Sequence, residues 1–169
     1  VAVADADLGD APNSYSTLSA SNGPAHVVNP RLKIGTTVAG KPEALAVAAG
    51  ADANVPNGDP NDDGLTAPLP VLTAGTTTYT LTFPVTNTTG TVANLEGWID
   101  FNRNGAFDPE EATGTTVANN GTTATLTWNN VNSLITGAGV SGGITYARFR
   151  LTTDPLTATS TVGAAMDGE

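Results

Sequence analysis

Apolar residues alternate with threonine in "TTYTLTFPVT" (Thr77–Thr86). Tyr79, Leu81, Phe83 and Val85 fall on one side, and Thr78, Thr80, Thr82 and Pro84 on the other. A repeat of two is the period of a half-buried strand. Pro84 has no N–H to give a ladder, which predicts an edge or a bulge there. "TVANLEGWIDF" (Thr91–Phe101), "ATGTTVA" (Ala112–Ala118), "TTATLTW" (Thr122–Trp128) and "GITYARFRLTT" (Gly143–Thr153) read as further strands. In the last of these, Ile144, Tyr146, Arg148 and Arg150 share one face, and Ala147, Phe149 and Leu151 the other. Asn120-Gly121 predicts a tight turn between two of the strands, and 129–137 a short helical turn.

Before residue 69 the periodicity fades. Pro, Gly, Asn and Ser punctuate "DADLGDAPNSYSTLSASNGPAHVV" throughout, which is turn chemistry. Short extended pieces are expected at Ala25–Val28 and Arg31–Ile34. Pro42–Gly50 could make a helical turn or two, with proline at its first position and glycine past its end. Strands at regular spacing, turn signals between them and no long helix predict an all-β fold, an antiparallel β-sandwich. One domain over residues 1–169 is expected. In it, 1–68 is an irregular, loop-rich extension packed on a β-sandwich core of 69–169.

Composition agrees: Thr, Ala, Gly and Asn dominate, with 19 Gly and 11 Pro, and strong helix formers are scarce. Only 13% of residues are charged, yet sixteen acids against six bases leave a net charge of −10. That sign repels phosphate backbones and anionic lipid, so neither nucleic acid nor membrane is an expected partner. It also favours bound cations. No cysteine is present, which removes disulfides, thiolate metal sites and a thiol nucleophile. No apolar run approaches the roughly 18 residues of a membrane helix. The chain runs from Val1 to Glu169 without natural-looking ends, and reads as an excised or processed piece of something larger.

The acids concentrate in "DFNRNGAFDPEE" (Asp100–Glu111). Its spacing is D-x-[DN]-x-[DN]-G-x5-E, that of a twelve-residue calcium loop. Calcium is a hard cation that takes oxygen ligands. Positions 1, 3 and 5 supply Asp100, Asn102 and Asn104. Gly105 permits the sharp turn. Ala106 offers its carbonyl, Asp108 stands at position 9, and Glu111 closes the loop with two oxygens. An EF-hand would need amphipathic helices on both sides. The flanks are instead strand-like, so the loop is expected to join two strands and to have no part in a helix-opening switch. The bland alternative is a polar Asn-Gly turn with incidental acids.

"DPNDDG" repeats half of the pattern with Asp59, Asn61, Asp63 and Gly64, but lacks the closing Glu. Asp52, Asn54 or Asp62 could complete a second, weaker cation site there, against the alternative of a solvated acidic loop. Asp5, Asp7 and Asp10 fit no loop spacing.

Other chemistry is thin. His26 is the sole histidine, which leaves no His-based zinc site and predicts a hydrogen-bonded structural residue. Arg148 and Arg150 are expected to pair with local acids rather than to bind an anion. Trp98 and Trp128 are expected in the core, with a sugar-stacking platform as the alternative. Asn87 and Asn120 each open a match to a glycosylation acceptor. Lys33 and Lys41 are the only lysines, so an isopeptide cross-link has little to draw on. No enzyme is expected.

Several separated pieces, in order, resemble the GEVED domain of large secreted and surface proteins of bacteria. They are "DLGDAPNSY" (Asp7–Tyr15), "GPAHVV" (Gly23–Val28), "NDDGL" (Asn61–Leu65), "GWIDFNRNGAFDPEE" (Gly97–Glu111), "TYARFRLTT" (Thr145–Thr153) and the closing "DGE" (Asp167–Glu169). Of the Gly-Glu-Val-Glu-Asp run that names the domain, Gly168 and Glu169 are present. The resemblance implies a secreted or cell-surface, calcium-associated β module of an adhesin or fibre. Its implied partners are neighbouring domains of the same protein or other fibre subunits, with a host or matrix glycan or protein as a further ligand. It brings no catalytic residues. The alternative function is a glycan- or peptide-binding module of a secreted multidomain protein. Assembly by strand donation, with "VAVADAD" as the extended segment, is a variant of the first reading.

Overall fold

The computed structural model describes residues 6–8, 11–36, 38, 64, 65, 69–73, 75–135 and 145–169. Among them the chain is mostly β, with little helix. The strands are β1 (Ala6–Leu8), β2 (Ala25–Val28), β3 (Leu32–Ile34), β4 (Thr78–Asn87), β5 (Ala93–Ile99), β6 (Ala112–Val117), β7 (Thr123–Asn129), β8 (Ala147–Thr152) and β9 (Ala164–Gly168). One short helix, α1 (Val131–Leu134), follows β7. The strands form three small sheets with orders β1-β2-β9, β3-β4-β7 and β6-β5-β8. All pairings are antiparallel except β2 with β9, which run parallel. That pair departs from the purely antiparallel expectation.

Alternation along β4 is complete. Tyr79, Leu81, Phe83 and Val85 are buried, and the residues from Thr78 to Pro84 between them are exposed. The outward threonines of β4 meet those of β7 in hydroxyl pairs, Thr80 with Thr127 and Thr82 with Thr125. Cross-strand pairs of this kind add a few tenths of a kcal/mol, up to about 1. Contrary to expectation, β4 is the central strand of its sheet. Pro84 is tolerated because β3 ends at Ile34, opposite Val85. The proline carbonyl still accepts from Gly35 N at 2.7 Å.

The sheets β3-β4-β7 and β6-β5-β8 bury one common core. Leu32, Ile34, Leu81, Phe83, Leu126 and Trp128 come from the first, and Leu95, Ile99, Val117 and Leu151 from the second. Gly97 of β5 faces Leu126 of the other sheet and Phe149 of its own. A Cβ there would stand 2.6 Å from Leu126 Cδ1 and 2.9 Å from Phe149 Cδ1. Asn120-Gly121 makes the expected turn, with Asn120 at φ 66° and Gly121 N donating to the Ala118 carbonyl. It carries the chain from β6 in one sheet to β7 in the other.

The second face of β5 and β8 is polar and still covered. Trp98 stands opposite Arg148, Glu96 opposite Arg150, and Asn94 opposite Thr152. The Trp98 indole donates to the Ala158 carbonyl at 2.8 Å and Asn94 Nδ2 to the Asp154 carbonyl at 2.9 Å. The 154–163 segment therefore roofs this face. The expected helical turn at Pro42–Gly50 lies outside the described residues.

Candidate functional site

The 100–111 loop leaves β5 and enters β6, so it joins two strands of one sheet, as its flanks predicted. Its backbone is shaped by Arg103 at φ 59° and Gly105 at φ 84°, both in the left-handed region that glycine adopts without cost. Asp100 is fully buried. Its Oδ1 accepts from Asn104 N at 3.1 Å, and its Oδ2 from Gly105 N at 3.0 Å and Tyr15 Oη at 2.6 Å. Asn102 Oδ1 accepts from Asn104 N, and Asn104 Oδ1 from Ala106 N, each at 2.9 Å. Both amide groups donate to Asp108 Oδ2, from Asn102 at 3.0 Å and from Asn104 at 2.7 Å. Asp108 then starts a 3-10 turn, Pro109–Glu111, with proline in its first turn.

Glu111 folds back under the loop and is buried. Its Oε1 accepts from Phe101 N at 2.8 Å and Asn102 N at 3.1 Å, and its Oε2 from Asp108 N at 3.1 Å. Burial pushes its pKa up to about 7, the three backbone N–H groups pull it down, and the Asp100 charge raises it. The Glu111 carbonyl accepts from the Trp128 indole at 2.8 Å, which ties the loop to the core. Asp100, Asn102, Asn104, Asp108 and Glu111 are thus gathered into one hydrogen-bonded loop, with Ala106 between them.

All side-chain acceptors here are oxygens, the chemistry a hard cation takes. A carboxylate has about four lone-pair sites, and Glu111 gives three of them to backbone N–H groups. Among the described residues, no three His, Cys, Asp or Glu side chains group as a metal site. A cation here would therefore rely on the asparagine amides and the Ala106 carbonyl as well as on the acids. The fit is chemical, through an all-oxygen set holding two buried carboxylates.

Tyr15 was not legible as part of this site. It lies 85 positions from Asp100, and no local spacing links them. Its ring also packs on Phe107 with centroids 4.5 Å apart and on Tyr146 at 5.3 Å. Burial, with the hydrogen bond to Asp100 and the charge behind it, raises the phenol's pKa, so Tyr15 stays a donor.

The two arginines of β8 are buried. They were expected to pair with local acids, but their hydrogen bonds run mainly to carbonyls. Arg148 donates to the Tyr15 and Thr161 carbonyls and to Thr17 Oγ1. Arg150 donates to the Ser160, Val162 and Gly163 carbonyls and to His26 Nε2. The acid opposite Arg150, Glu96, leans the other way, over Gly114, where a Cβ would meet its Oε2 at 2.0 Å. The arginines therefore hold the roof segment to the sheet.

His26 is buried against Arg150, and its pKa falls to about 3. Burial is the main cause, the Arg150 charge adds to it, and Asp167 opposes it. The folded pKa lies below the ordinary value of 6.5. The unfolded chain therefore binds this proton first, and stability is lost as pH falls below about 6.5. From pH 7 to pH 5 the loss approaches about 2 kcal/mol, at 1.36 kcal/mol per unit once the unfolded histidine is fully protonated. Urea unfolding at pH 7 and pH 5 is expected to show that loss for the wild type and a smaller one for His26→Gln. Equal losses would remove His26 as the cause.

The closing residues are structural. Asp167 Oδ1 accepts from Thr152 Oγ1 and Thr153 N. Glu169 exchanges both backbone hydrogen bonds with Leu151, and its Oε2 accepts from Ile34 N at 2.9 Å. A Cβ on Gly168 would lie 1.8 Å from the Leu151 carbonyl oxygen.

Residues 94–169 match the family model of the GEVED domain. The resemblance to a GEVED domain therefore holds over residues 94–169. The matched GEVED region begins inside β5 and takes in the loop, both β8 arginines and the closing Gly168-Glu169. GEVED domains occur in bacterial surface and secreted proteins. The earlier pieces of the resemblance, Asp7–Tyr15, Gly23–Val28 and Asn61–Leu65, precede the matched residues. No curated protein and no solved structure matches the chain.

The remaining candidates divide plainly. Trp98 and Trp128 are buried, which removes them as a sugar platform. Asn87 is fully buried, with its amide donating to the Thr91 and Val117 carbonyls, so no glycan can join it. The second cation cluster, Asp52, Asn54, Asp59, Asn61, Asp62 and Asp63, lies outside the described residues, as do Asp5, Asp10 and Lys41. No helix among the described residues is long and apolar enough to cross a membrane.

Proposed function

We propose that this chain is a calcium-stabilised structural module of a bacterial extracellular adhesin or surface fibre. Its two core-sharing sheets act as a β-sandwich, and its 100–111 loop holds the ion. The observation that carries the reading is the pair of buried carboxylates, Asp100 and Glu111, set in one loop of calcium spacing. Burying carboxylates is costly unless they are paired or coordinate a metal. A divalent cation would relieve both at once and let Glu111 keep its charge.

Asp100, Asn102, Asn104, the Ala106 carbonyl, Asp108 and Glu111 would hold the ion. When bound, calcium supplies charge compensation and a rigid junction between β5 and β6. The role is mechanical rather than catalytic, and the partners are neighbouring domains or fibre subunits. The occurrence of GEVED domains in surface and secreted proteins supports the setting.

Metal that binds only the folded state stabilises it by about 2.7 kcal/mol at a hundredfold excess over Kd. For a domain of this size that raises Tm by roughly 5–10 °C. Thermal unfolding in calcium and in chelator should differ by that amount. Superimposed curves would defeat the proposal.

A further inference from the structure

Tyr15 stands at a junction between two parts of the chain. Its hydroxyl donates to Asp100 Oδ2 at 2.6 Å. Its ring lies on Phe107, eighth in the loop, and the same Phe107 ring has Arg148 Cζ 5.0 Å from its centroid. Arg148 in turn donates to the Tyr15 carbonyl at 3.0 Å and to Thr17 Oγ1 at 2.8 Å. The loop, β8 and the 11–28 segment therefore close on one residue. From there the segment passes through two 3-10 turns, Asn13–Tyr15 and Ser19–Ser21, into β2. The backbone N–H groups of Tyr15, Ser16, Ser21, Asn22 and Gly23 are all hydrogen-bonded within these turns.

We propose that Tyr15 is a positioning residue that couples cation binding in the 100–111 loop to docking of the 11–28 segment. The inference rests on the calcium reading above and adds to it a regulated element. The Tyr15 hydroxyl fixes the orientation of the first carboxylate of the loop, and the ring anchors the segment on Phe107. An ion that holds Asp100 and the loop in place also holds Tyr15. Coupling of this kind is reciprocal: whatever factor Tyr15 adds to calcium affinity, calcium adds to docking of the segment. Purely structural packing of the ring predicts no such reciprocity.

Two measurements on the full chain test it. Isothermal titration with calcium chloride compares the wild type with Tyr15→Phe, which keeps the ring and removes only the hydroxyl. A hydrogen bond to a charged group is strong enough for its loss to weaken binding about tenfold. Hydrogen exchange at residues 15–23 of the wild type is then followed in calcium and in chelator, which needs no variant to fold. Calcium is expected to slow exchange there in the wild type and to do so less in Tyr15→Phe. Equal affinities, with exchange at 15–23 indifferent to calcium, would overturn the coupling and leave the calcium loop standing. No binding to the wild type would overturn both.

Discussion

Asp100→Ala is expected to destabilise the protein by about 3 kcal/mol or more and to make its melting curve indifferent to calcium. The carboxylate accepts from Asn104 N, Gly105 N and the Tyr15 hydroxyl. Alanine removes both acceptor oxygens and so orphans all three donors. A buried donor left without a partner costs about 1–3 kcal/mol, and the Tyr15 hydroxyl is the donor least able to reach water. Loss of the loop shape then reaches Asn104 and Asp108 through the amide pair that closes it. Urea unfolding in chelator isolates the hydrogen-bonding part. The same experiment in calcium adds the ion's share, which the variant should lack. Asp100→Asn keeps one acceptor oxygen and removes the charge, so its cost in chelator should be smaller while its calcium response is still weakened. A variant that melts like the wild type in chelator would show that the loop does not depend on this carboxylate.

Arg150→Ala is the other large effect, at about 3–5 kcal/mol. The guanidinium is buried between β8 and the 158–163 stretch, and burial lowers its pKa to about 10, so it stays charged at neutral pH. Its removal orphans the Ser160, Val162 and Gly163 carbonyls and leaves His26 Nε2 without its donor. Hydrogen bonds to charged groups contribute about 1.5–3 kcal/mol each, and part of the loss is recovered where the roof reopens to water. Arg150→Lys should rescue little, because a compact ammonium cannot reproduce the planar fork. Denaturant unfolding of both variants measures the effect. A loss below about 1 kcal/mol for alanine would mean that the roof is held by something else.

The parts of the fold legible in the sequence were those whose pattern is local. β4 and β7 were visible because Thr alternates with apolar residues, and one face of each packs on a single core. The loop was visible because its ligand types recur at fixed spacing over twelve residues. Its strand-like flanks ruled out a helix pair, and β5 and β6 stand where those flanks are. β9 was not legible. "AAMDG" has no strong alternation, and the segment is a strand because it lies beside β2 and because Glu169 pairs with Leu151. The assignment of β6 and β7 to different sheets was hidden for the same reason: a tight turn fixes a reversal, not the partner of each strand. Trp98 and Arg148 could be placed on a strand face, but their carbonyl partners belong to a segment that only the folded chain brings over them. Tyr15 is the clearest case. Its role beside Asp100 exists only once the amino-terminal segment has docked.

Crystallisation of the chain in calcium decides whether the 100–111 loop holds the ion. One density peak is expected in the 100–111 loop, with oxygens of Asp100, Asn102, Asn104, Ala106, Asp108 and Glu111 about 2.3–2.6 Å away. Glu111 is expected to give up some of its backbone hydrogen bonds to reach the ion. A loop that keeps the Asn102–Asp108 and Asn104–Asp108 hydrogen bonds, keeps Glu111 on its three backbone N–H groups and shows no peak at saturating calcium would contradict the calcium reading.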